Sequence, residues 1–339
     1  MLQNKIENNT KITIGMPGML TTIQDIGRVG FQQYGMPVAG VMDQENYVIG
    51  QALIGETGTK EKPYLGALEC TMLPPILTCE GSCVVAFTGA NMNPNINGVP
   101  VPMYRPITCK EGDVISGTYA QSGMRMYIFF AGGIDVPKIN GSVATHTKAN
   151  IGGIDGRKLQ VNDVLSVGVM DSNCCQKASN TEENILKSSQ EWNFKDPIRV
   201  VLGPQDDAFT KEGLETFKSS VYTLTPASDR MGFRLNGKPI THTKGADIIS
   251  DGTAFGSIQV PADGQPIILM ADRQTTGGYT KIGTVISIDL PRLAQIPIGS
   301  PIAFSVISVE EAQRLYKVYH ENLNGKLEIA KRVGTGIVK

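Results

Sequence analysis

Short β-branched runs recur at close intervals along this 339-residue chain, and they constrain the fold more than any other feature. Glycine, proline, asparagine or aspartate bound most of these runs. Apolar runs with such boundaries are typical of strands in an antiparallel sandwich or barrel. The runs are ILTCE, CVVAFTG, DVISG, RMYIFFAGG, IRVVLG, SIQVP, PIILM, GTVISIDL and IAFSVIS. We therefore predict a mainly β protein.

Helical patterns are few. Asp43 is a predicted N-cap for a helix that ends near Gly55. A second helix is predicted over residues 206–220. The third begins at Ser308, which forms a capping-box pattern with Glu311.

A polar, turn-rich segment over residues 171–196 differs from the sequence on both sides of it. The chain is long enough for two medium domains. We predict an N-terminal β-barrel-like domain over 1–170, a linker over 171–196, and a C-terminal β-barrel domain with a terminal helix over 197–339.

The balance of charge excludes two classes of partner. Lysine and arginine (31) nearly cancel aspartate and glutamate (32), so no strong field attracts nucleic acid or an acidic membrane surface. The segment MLQNKIENNTK has no apolar signal region, and no run approaches the ~20 apolar residues that span a bilayer. We expect a soluble, cytoplasmic protein.

Six cysteines are too sparse for a disulfide framework in a chain of this length. Four lie in apolar, strand-like segments, where cysteine behaves as a small buried hydrophobe. These four are Cys70, Cys79, Cys83 and Cys109. Cys79 and Cys83 are four positions apart, but no second pair follows at zinc spacing, and Cys174 and Cys175 lie in the polar segment. We predict reduced thiols and no metal site.

Several common catalytic motifs are absent from the sequence. GETGTKEK lacks the second glycine of a P-loop, and no G-x-G-x-x-G stands between a strand and a helix. The three histidines, His146, His242 and His320, are far apart and lie outside zinc or hydrolase motifs. The chain is not predicted to bind a nucleotide, or to hold a serine-hydrolase triad, by itself.

Dense polar loops remain as candidate sites, above all LMADRQTTGGYTKIGTVISIDL over 269–290. Arginine offers a planar fork for carboxylate or phosphate, and aspartate or threonine can orient water. The predicted catalytic residues are the two Asp-Arg pairs, Asp229, Arg230, Asp272 and Arg273. The predicted substrate-binding residues around them are Gln259, Thr275, Thr276, Gly277, Gly278 and Tyr279. A braced hairpin is the alternative interpretation of this loop.

A glycine-rich N-terminal stretch, TTIQDIGRVGFQQYGMPVAGVMD, is a second candidate. Its glycines allow the backbone to approach a ligand or another chain closely. The predicted substrate-binding residues are Gln24, Asp25, Arg28 and Asp43. An Asp-Arg pair that only braces a long loop would explain the same residues.

Together these loops resemble the KipA family, which is also the family of the 5-oxoprolinase C subunit. That family is similar to one half of the carboxyltransferase domain of biotin-dependent urea carboxylase (like the second subunit of allophanate hydrolase). The resemblance extends from about residue 12 to residue 312. It rests on TTIQDIGRVGFQQYGMPVAGVMD, GGIDGRKL, SDRMGFRLNG, GSIQVPADGQPIILMADRQTTGGYTKIGTVISIDL and PIAFSVISVEEA.

The resemblance implies two cyclophilin-like β-barrel domains with a few short helices. It also implies a sister subunit of the B or KipI type and a subunit of the A type, which together open 5-oxo-L-proline to L-glutamate with ATP as co-substrate. In the urea carboxylase relatives the corresponding cleft binds carboxybiotin and urea, which implies that Asp229 lies at a site for a lactam or a urea-like substrate.

The sequence departs from the resembling families at two points. No Met-Lys-Met biotin-attachment sequence is present, so the chain is not expected to carry biotin. The family usually has arginine after the serine of the GS loop, whereas Val143 follows Ser142 here. The function of that arginine is therefore in doubt in this chain.

Three functions follow from these observations. The leading one is a hydrolase subunit of an ATP-dependent 5-oxoprolinase, inactive alone, with a composite site shared with its sister subunit. The second is a KipA-type regulatory protein that binds and antagonises a histidine-kinase inhibitor. The third is a subunit of a biotin-dependent carboxyltransferase that uses a separate biotinylated carrier.

Overall fold

A computed structural model describes residues 9–56, 58–59, 63–168 and 180–335. Within them the chain is mainly β, as predicted. The chain forms two compact units. Unit 1 comprises Met1–Gly27, Asp43–Glu191 and Asn322–Lys339, and unit 2 comprises Arg28–Met42 and Trp192–Glu321.

Two sheets form unit 1 in the part of the chain that is described. Their strands are β1 (Asn9–Met16), β2 (Leu20–Gln24), β3 (Ala67–Thr71), β4 (Ile76–Cys79), β5 (Cys83–Asn91), β6 (Asn95–Ile96), β7 (Val99–Pro100), β8 (Ile107–Cys109), β9 (Val114–Ser116), β10 (Ser122–Phe130) and β11 (Val164–Gly168). The first sheet has the order β11-β1-β4-β9-β6-β7 and the second has the order β2-β3-β10-β5-β8.

Helix α1 (Gln44–Leu53) packs on the second sheet of unit 1. Its Gly50 lies against the ring of Phe129, and a Cβ atom added there would lie 2.0 Å from that ring. Tyr47 from the same helix is fully buried, with its ring centroid 5.9 Å from that of Phe129 and 6.4 Å from that of Tyr127. A small residue next to a large aromatic one therefore sets how closely the helix approaches the sheet.

Replacing Asp43 with alanine should destabilise the protein by about 1–2 kcal/mol. The Asp43 carboxylate accepts hydrogen bonds from the backbone N–H of Asn46 at 3.0 Å and from its side-chain amide at 2.8 Å. Asp43→Ser keeps an oxygen at the N-cap and should cost less. Urea unfolding of both variants measures the difference, and equal stability of Asp43→Ala and wild type would exclude this capping role.

A closed barrel of seven strands forms unit 2, whose residues are all described. The strands of this unit are β12 (Ile198–Leu202), β13 (Val221–Leu224), β14 (Gly232–Asn236), β15 (Asp247–Gly252), β16 (Ser257–Gln259), β17 (Ile267–Leu269), β18 (Thr276–Tyr279), β19 (Lys281–Val285) and β20 (Pro301–Val306). The barrel order is β12-β19-β16-β17-β14-β13-β20, and β15 and β18 form a separate two-stranded ribbon. The barrel interior is apolar and includes Val200, Phe233, Ile258 and Ile282.

The remaining helices among the described residues are α2 (Asn180–Lys187), α3 (Lys211–Ser219), α4 (Leu290–Ala294) and α5 (Val309–Thr335). Helix α3 begins later than predicted because Thr210 is its N-cap and accepts from the Gly213 N–H at 2.9 Å. Helix α5 follows Ser308, as predicted, but its 27 residues exceed the expected short helix. None of the described helices combines the length and hydropathy required to cross a bilayer.

The compact units differ from the contiguous domains predicted at 1–170 and 197–339. Residues 28–42 group with unit 2, because Met42 belongs to the barrel core. The end of α5 groups with unit 1, where the Lys326 ammonium binds Glu45 at 2.9 Å. Of the predicted linker, residues 171–179 lie outside the described residues and Asn180–Lys187 form α2.

Candidate functional site

Arg230 and Asp272 form a buried ion pair that joins the two Asp-Arg dipeptides. Arg230 Nε and Nη2 donate to the two carboxylate oxygens at 3.0 and 2.9 Å, and Nη2 also donates to the Gly40 carbonyl at 2.5 Å. Strands β14 and β17 pair antiparallel, which carries both residues to the same end of the barrel. The pair is 7% and 3% exposed, so its charges compensate each other in a largely water-free place.

Asp229 has surroundings quite different from those of its neighbour Arg230. It is exposed, and its Oδ1 accepts hydrogen bonds from the backbone N–H groups of Met231 at 2.8 Å and Gly232 at 3.2 Å. A side chain that binds its own downstream backbone is an Asx turn. Asp229 therefore shapes the turn that positions Arg230.

Arg273 is a buried cation without a carboxylate partner among the described residues. It is 8% exposed, donates to the Thr253 carbonyl at 3.3 Å, and lies over the Phe255 ring at 5.6 Å. Burial lowers the pKa of Arg273 to about 10. A guanidinium in such a place is suited to bind a carboxylate or phosphate of a ligand.

Gln259 contributes an amide close to this loop. It is 2% exposed, and its Oε1 accepts from Gln274 Nε2 at 3.2 Å. Its own Nε2 has no hydrogen-bond partner among the residues that the structure describes. A buried amide donor is costly when it is left unpaired, which favours a ligand oxygen as its partner.

Of the ribbon residues in the predicted site, Gly277 lies beside Gln259. Thr276 and Tyr279 are exposed on β18, and the Thr275 carbonyl accepts from Gln32 Nε2 at 3.1 Å. Gly277 is required because its backbone lies close to the Gln259 side chain, not because its φ is positive. A Cβ atom there would lie 2.3 Å from Gln259 Nε2. Gly278 has no such contact, with its nearest atoms at 3.6 and 3.7 Å.

Replacing Gly277 with alanine should displace the Gln259 amide and, in the hydrolase complex expected from the sequence, lower kcat/KM by about 10- to 100-fold. Stability should change little, because the displaced atom is the end of a flexible side chain. Gly278→Ala is the matched control and should keep both activity and stability. Equal activity of the two variants would show that the position of the Gln259 amide is unimportant.

Lys281 is a candidate site residue that the sequence patterns did not indicate. It is 4% exposed and lies directly opposite Gln259 in the ladder between β16 and β19. Its Nζ pairs with Asp251 Oδ2 at 3.3 Å. The pKa of Asp251 is lowered, first by the Gly252 N–H and then by Lys281. The available signal for Lys281 was its place at the start of the strand KIGTV, whose other residues are mostly buried. Lysine is rarely buried without a partner.

The N-terminal candidates belong to different compact units. Gln24, Asp25 and Asp43 lie in unit 1, whereas Arg28 lies in unit 2 and is 1% exposed. Asp25 accepts from Ser142 Oγ at 2.6 Å, and Gln24 Nε2 donates to the Thr145 carbonyl at 2.9 Å. Asp43 caps α1. These contacts favour the loop-bracing interpretation for the three residues of unit 1.

Val143 fills an apolar position in unit 1. Its backbone N–H donates to Asp25 Oδ2 at 2.8 Å, and its side chain is 3% exposed. A Cβ atom on Gly66 would lie 2.9 Å from Val143 Cγ2. The side chain at this position is therefore used for packing.

A separate pocket of ≈ 370 Å³ lies in unit 2 between β19 and the start of α5. Its lining includes Val201, Ile286 and Tyr316 but none of the predicted site residues. It holds one amide, Gln313, and one cation, Lys317, both on α5, and the rest of its lining is mostly apolar. Because none of the predicted site residues lines this pocket, we place the candidate site at Gln259, Arg273 and Lys281.

Comparison with known proteins first defines the class. The family model described as "Carboxyltransferase domain, subdomain A and B" matches residues 34–306. The carboxyltransferase-type fold agrees with the solved urea carboxylase of Kluyveromyces lactis, with a TM-score of 0.83, 26% sequence identity, and coverage of 93% of this chain and 29% of that chain. The mainly β fold is thereby confirmed.

Sequence relatives define the membership more closely. The 5-oxoprolinase C subunit of Escherichia coli (strain K12) is 37% identical over 295 residues, which are 87% of this chain and 91% of that protein. Urea amidolyase of Saccharomyces cerevisiae is 31% identical over 90% of this chain but only 17% of its own length. The chain therefore belongs to the carboxyltransferase-domain family that includes the 5-oxoprolinase C subunit.

Proposed function

We propose that the chain is the C subunit of an ATP-dependent 5-oxoprolinase and helps to hydrolyse 5-oxo-L-proline to L-glutamate. The observation that carries this proposal is the match to the C subunit of the Escherichia coli 5-oxoprolinase over 91% of that protein. Because the match covers most of both sequences, we expect the two chains to share one architecture. The charged and amide groups of unit 2 supply chemistry that suits the reaction.

A lactam carbonyl is a poor electrophile, so its oxygen requires activation. In the proposed reaction the lactam oxygen attacks the γ-phosphorus of ATP, and ADP leaves. A first water attacks the ring carbon and the C–N bond breaks, which gives γ-glutamyl phosphate. A second water hydrolyses this acyl phosphate to glutamate and inorganic phosphate. Both the substrate carboxylate and the phosphoryl group are anionic. The site must therefore supply cations that are not already neutralised by protein carboxylates.

Arg273 and Lys281 best match this requirement. Arg273 has no carboxylate partner among the described residues, and Lys281 pairs only at 3.3 Å with the exposed Asp251. The Gln259 amide can donate to a substrate oxygen beside them. Arg230 and Asp272 neutralise each other, so in this proposal they position the loop.

We assign water orientation to polar groups at the loop ends, of which Asp229 and Thr276 are exposed and Thr275 is half-buried. Asp229, Thr275 and Thr276 offer a carboxylate and two hydroxyls for that role. The carboxylate of Asp229 already holds two backbone N–H groups, which fixes its orientation.

ATP is proposed to bind to the partner subunits. The sequence has no P-loop, and a subunit of the A type with a sister subunit of the B or KipI type would complete the nucleotide and lactam sites. The chain would then be inactive alone.

Carboxyl transfer is a second candidate, favoured by the family model and by the structural similarity to urea carboxylase. It would need a separate biotinylated carrier, because the sequence has no Met-Lys-Met attachment site. The same cations would then bind the carboxyl group in transit.

Co-expression with A- and B-type subunits separates the two candidates. ADP formation should rise with 5-oxo-L-proline and much less with 2-pyrrolidone, which is the same lactam without the carboxylate. Urea with bicarbonate and a biotinylated carrier is the comparison for carboxyl transfer. Carboxylation of urea without lactam-dependent ADP formation would contradict the oxoprolinase proposal.

A further inference from the structure

Three buried thiols meet at one point in unit 1. The sulfur atoms of Cys79, Cys83 and Cys109 all lie within 4.8 Å of one another, and those of Cys79 and Cys83 are 3.9 Å apart. The three residues are 1%, 2% and 0% exposed. The sequence predicts no metal site, because no second pair follows Cys79 and Cys83 at zinc spacing. Pairing of β5 with β8 supplies the third thiol.

Backbone structure holds the three sulfurs in place. Cys79 ends β4, Cys83 begins β5, and Cys109 ends β8 directly opposite Cys83 in the antiparallel ladder. The Cys79 N–H donates to the Asp113 carbonyl at 2.9 Å, and its carbonyl accepts from the Gly112 N–H at 2.8 Å. The paired strands and these backbone hydrogen bonds therefore bring the three thiols together.

We propose that Cys79, Cys83 and Cys109 form a three-thiolate site for Cu(I). A metal with three bonds of about 2.3 Å to sulfur in one plane needs sulfur atoms about 4.0 Å apart, close to the observed spacing. Within the described residues the cluster has three ligand atoms and includes no histidine or carboxylate. Zinc in structural sites takes four ligands, and iron–sulfur clusters take four cysteines. Soft thiolates with a low coordination number select Cu(I).

Binding would join the two sheets of unit 1. Cys79 belongs to the sheet that contains β1, whereas Cys83 and Cys109 belong to the sheet that contains β10. The metal enters as Cu(I), so no electron is exchanged, and the thiol protons that it displaces pass to solvent. A ligand bound only by the folded chain raises its melting temperature.

The test measures Cu(I) binding anaerobically against a chromophoric Cu(I) chelator. All variants carry Cys174→Ser and Cys175→Ser, which remove two adjacent thiols outside the described residues. This background should bind one Cu(I) per chain with a raised melting temperature. Cys109→Ser should weaken binding by about 100-fold or more. Cys70→Ser removes a buried thiol outside the cluster and should leave the affinity for Cu(I) unchanged.

X-ray absorption on the Cu(I)-loaded background protein gives a second readout that needs no cluster variant. Three sulfur ligands at about 2.3 Å are expected. Binding that survives Cys109→Ser would overturn the proposal. So would a two-sulfur site, or tighter binding of Zn(II) than of Cu(I). Because the X-ray result is independent of Cys109→Ser, loss of folding in that variant does not affect the outcome.

Discussion

Replacing Asp272 with asparagine should lower the free energy of unfolding by about 3–5 kcal/mol, because it removes the negative charge of a buried, doubly hydrogen-bonded ion pair with Arg230. Arg230 donates to both Asp272 oxygens and is only 7% exposed. Denaturant unfolding followed by circular dichroism measures the loss. The double variant Arg230→Met/Asp272→Leu removes both charges and should recover a large part of it.

An exposed pair with the same geometry gives the control. Arg314 Nε and Nη2 donate to the two Glu311 oxygens, each at 2.7 Å, but the side chains are 64% and 41% exposed. Glu311→Gln should therefore cost less than about 1 kcal/mol. Equal losses in Asp272→Asn and Glu311→Gln would show that burial does not set the strength of the Arg230–Asp272 pair.

Replacing Arg273 with methionine should stabilise the chain and strongly reduce the activity of the complex. Burial lowers the pKa of Arg273 from its usual value to about 10, so the charged form is disfavoured in the native state. The unfolded chain keeps the higher pKa and binds the proton more tightly. At neutral pH the charge therefore destabilises the fold by roughly 1–3 kcal/mol. This cost is fully present below pH 10 and decreases as the pH rises further.

Activity of the assembled complex should fall by about 100-fold or more in Arg273→Met, because the cation proposed to bind a substrate or phosphoryl oxygen is lost. Arg199→Met is the opposite control. Arg199 is bound to Asp289 by hydrogen bonds of 3.1 and 2.5 Å, so its loss should reduce stability and spare the activity of folded protein. An Arg273→Met variant that is less stable but active would contradict the assignment of Arg273 as a destabilising buried charge that is needed for activity.

Local hydrogen bonds explain why the helix starts could be predicted. Asp43 caps α1 through the N–H of Asn46, and Ser308 caps α5 through the N–H of Glu311. Residues three positions apart can be recognised from the sequence alone. Helix α3 begins at Lys211 rather than at Asp206, because a short 3-10 turn at Asp206–Ala208 precedes it and Thr210 is its N-cap.

The partners of the Asp-Arg pairs could not be read from the sequence. The repeated Asp-Arg dipeptide marks both loops in the sequence, but Arg230 pairs with Asp272 through the register of β14 and β17. Strand register depends on non-local packing, and a shift by one residue exchanges the faces. Lys281 was missed for the same reason, since only the ladder places it opposite Gln259.

Long-range pairing also explains the remaining differences. The sequence showed Cys79 and Cys83 together, but Cys109 joins them only through the β5–β8 ladder. Residues 28–42 were assigned to the first domain by position, whereas Met42 contributes to the barrel core. Composition and periodicity do not show which compact unit a short segment such as 28–42 belongs to. The contiguous domains at 1–170 and 197–339 remain a prediction.

Glutamate release from labelled 5-oxo-L-proline tests the central claim most directly. The mixture of A-type subunit, B-type subunit, this chain and ATP should release glutamate and ADP in equal amounts. Omission of this chain should abolish the release, and Arg273→Met should not restore it. Full turnover without this chain, or by this chain alone, would contradict a composite site to which it contributes.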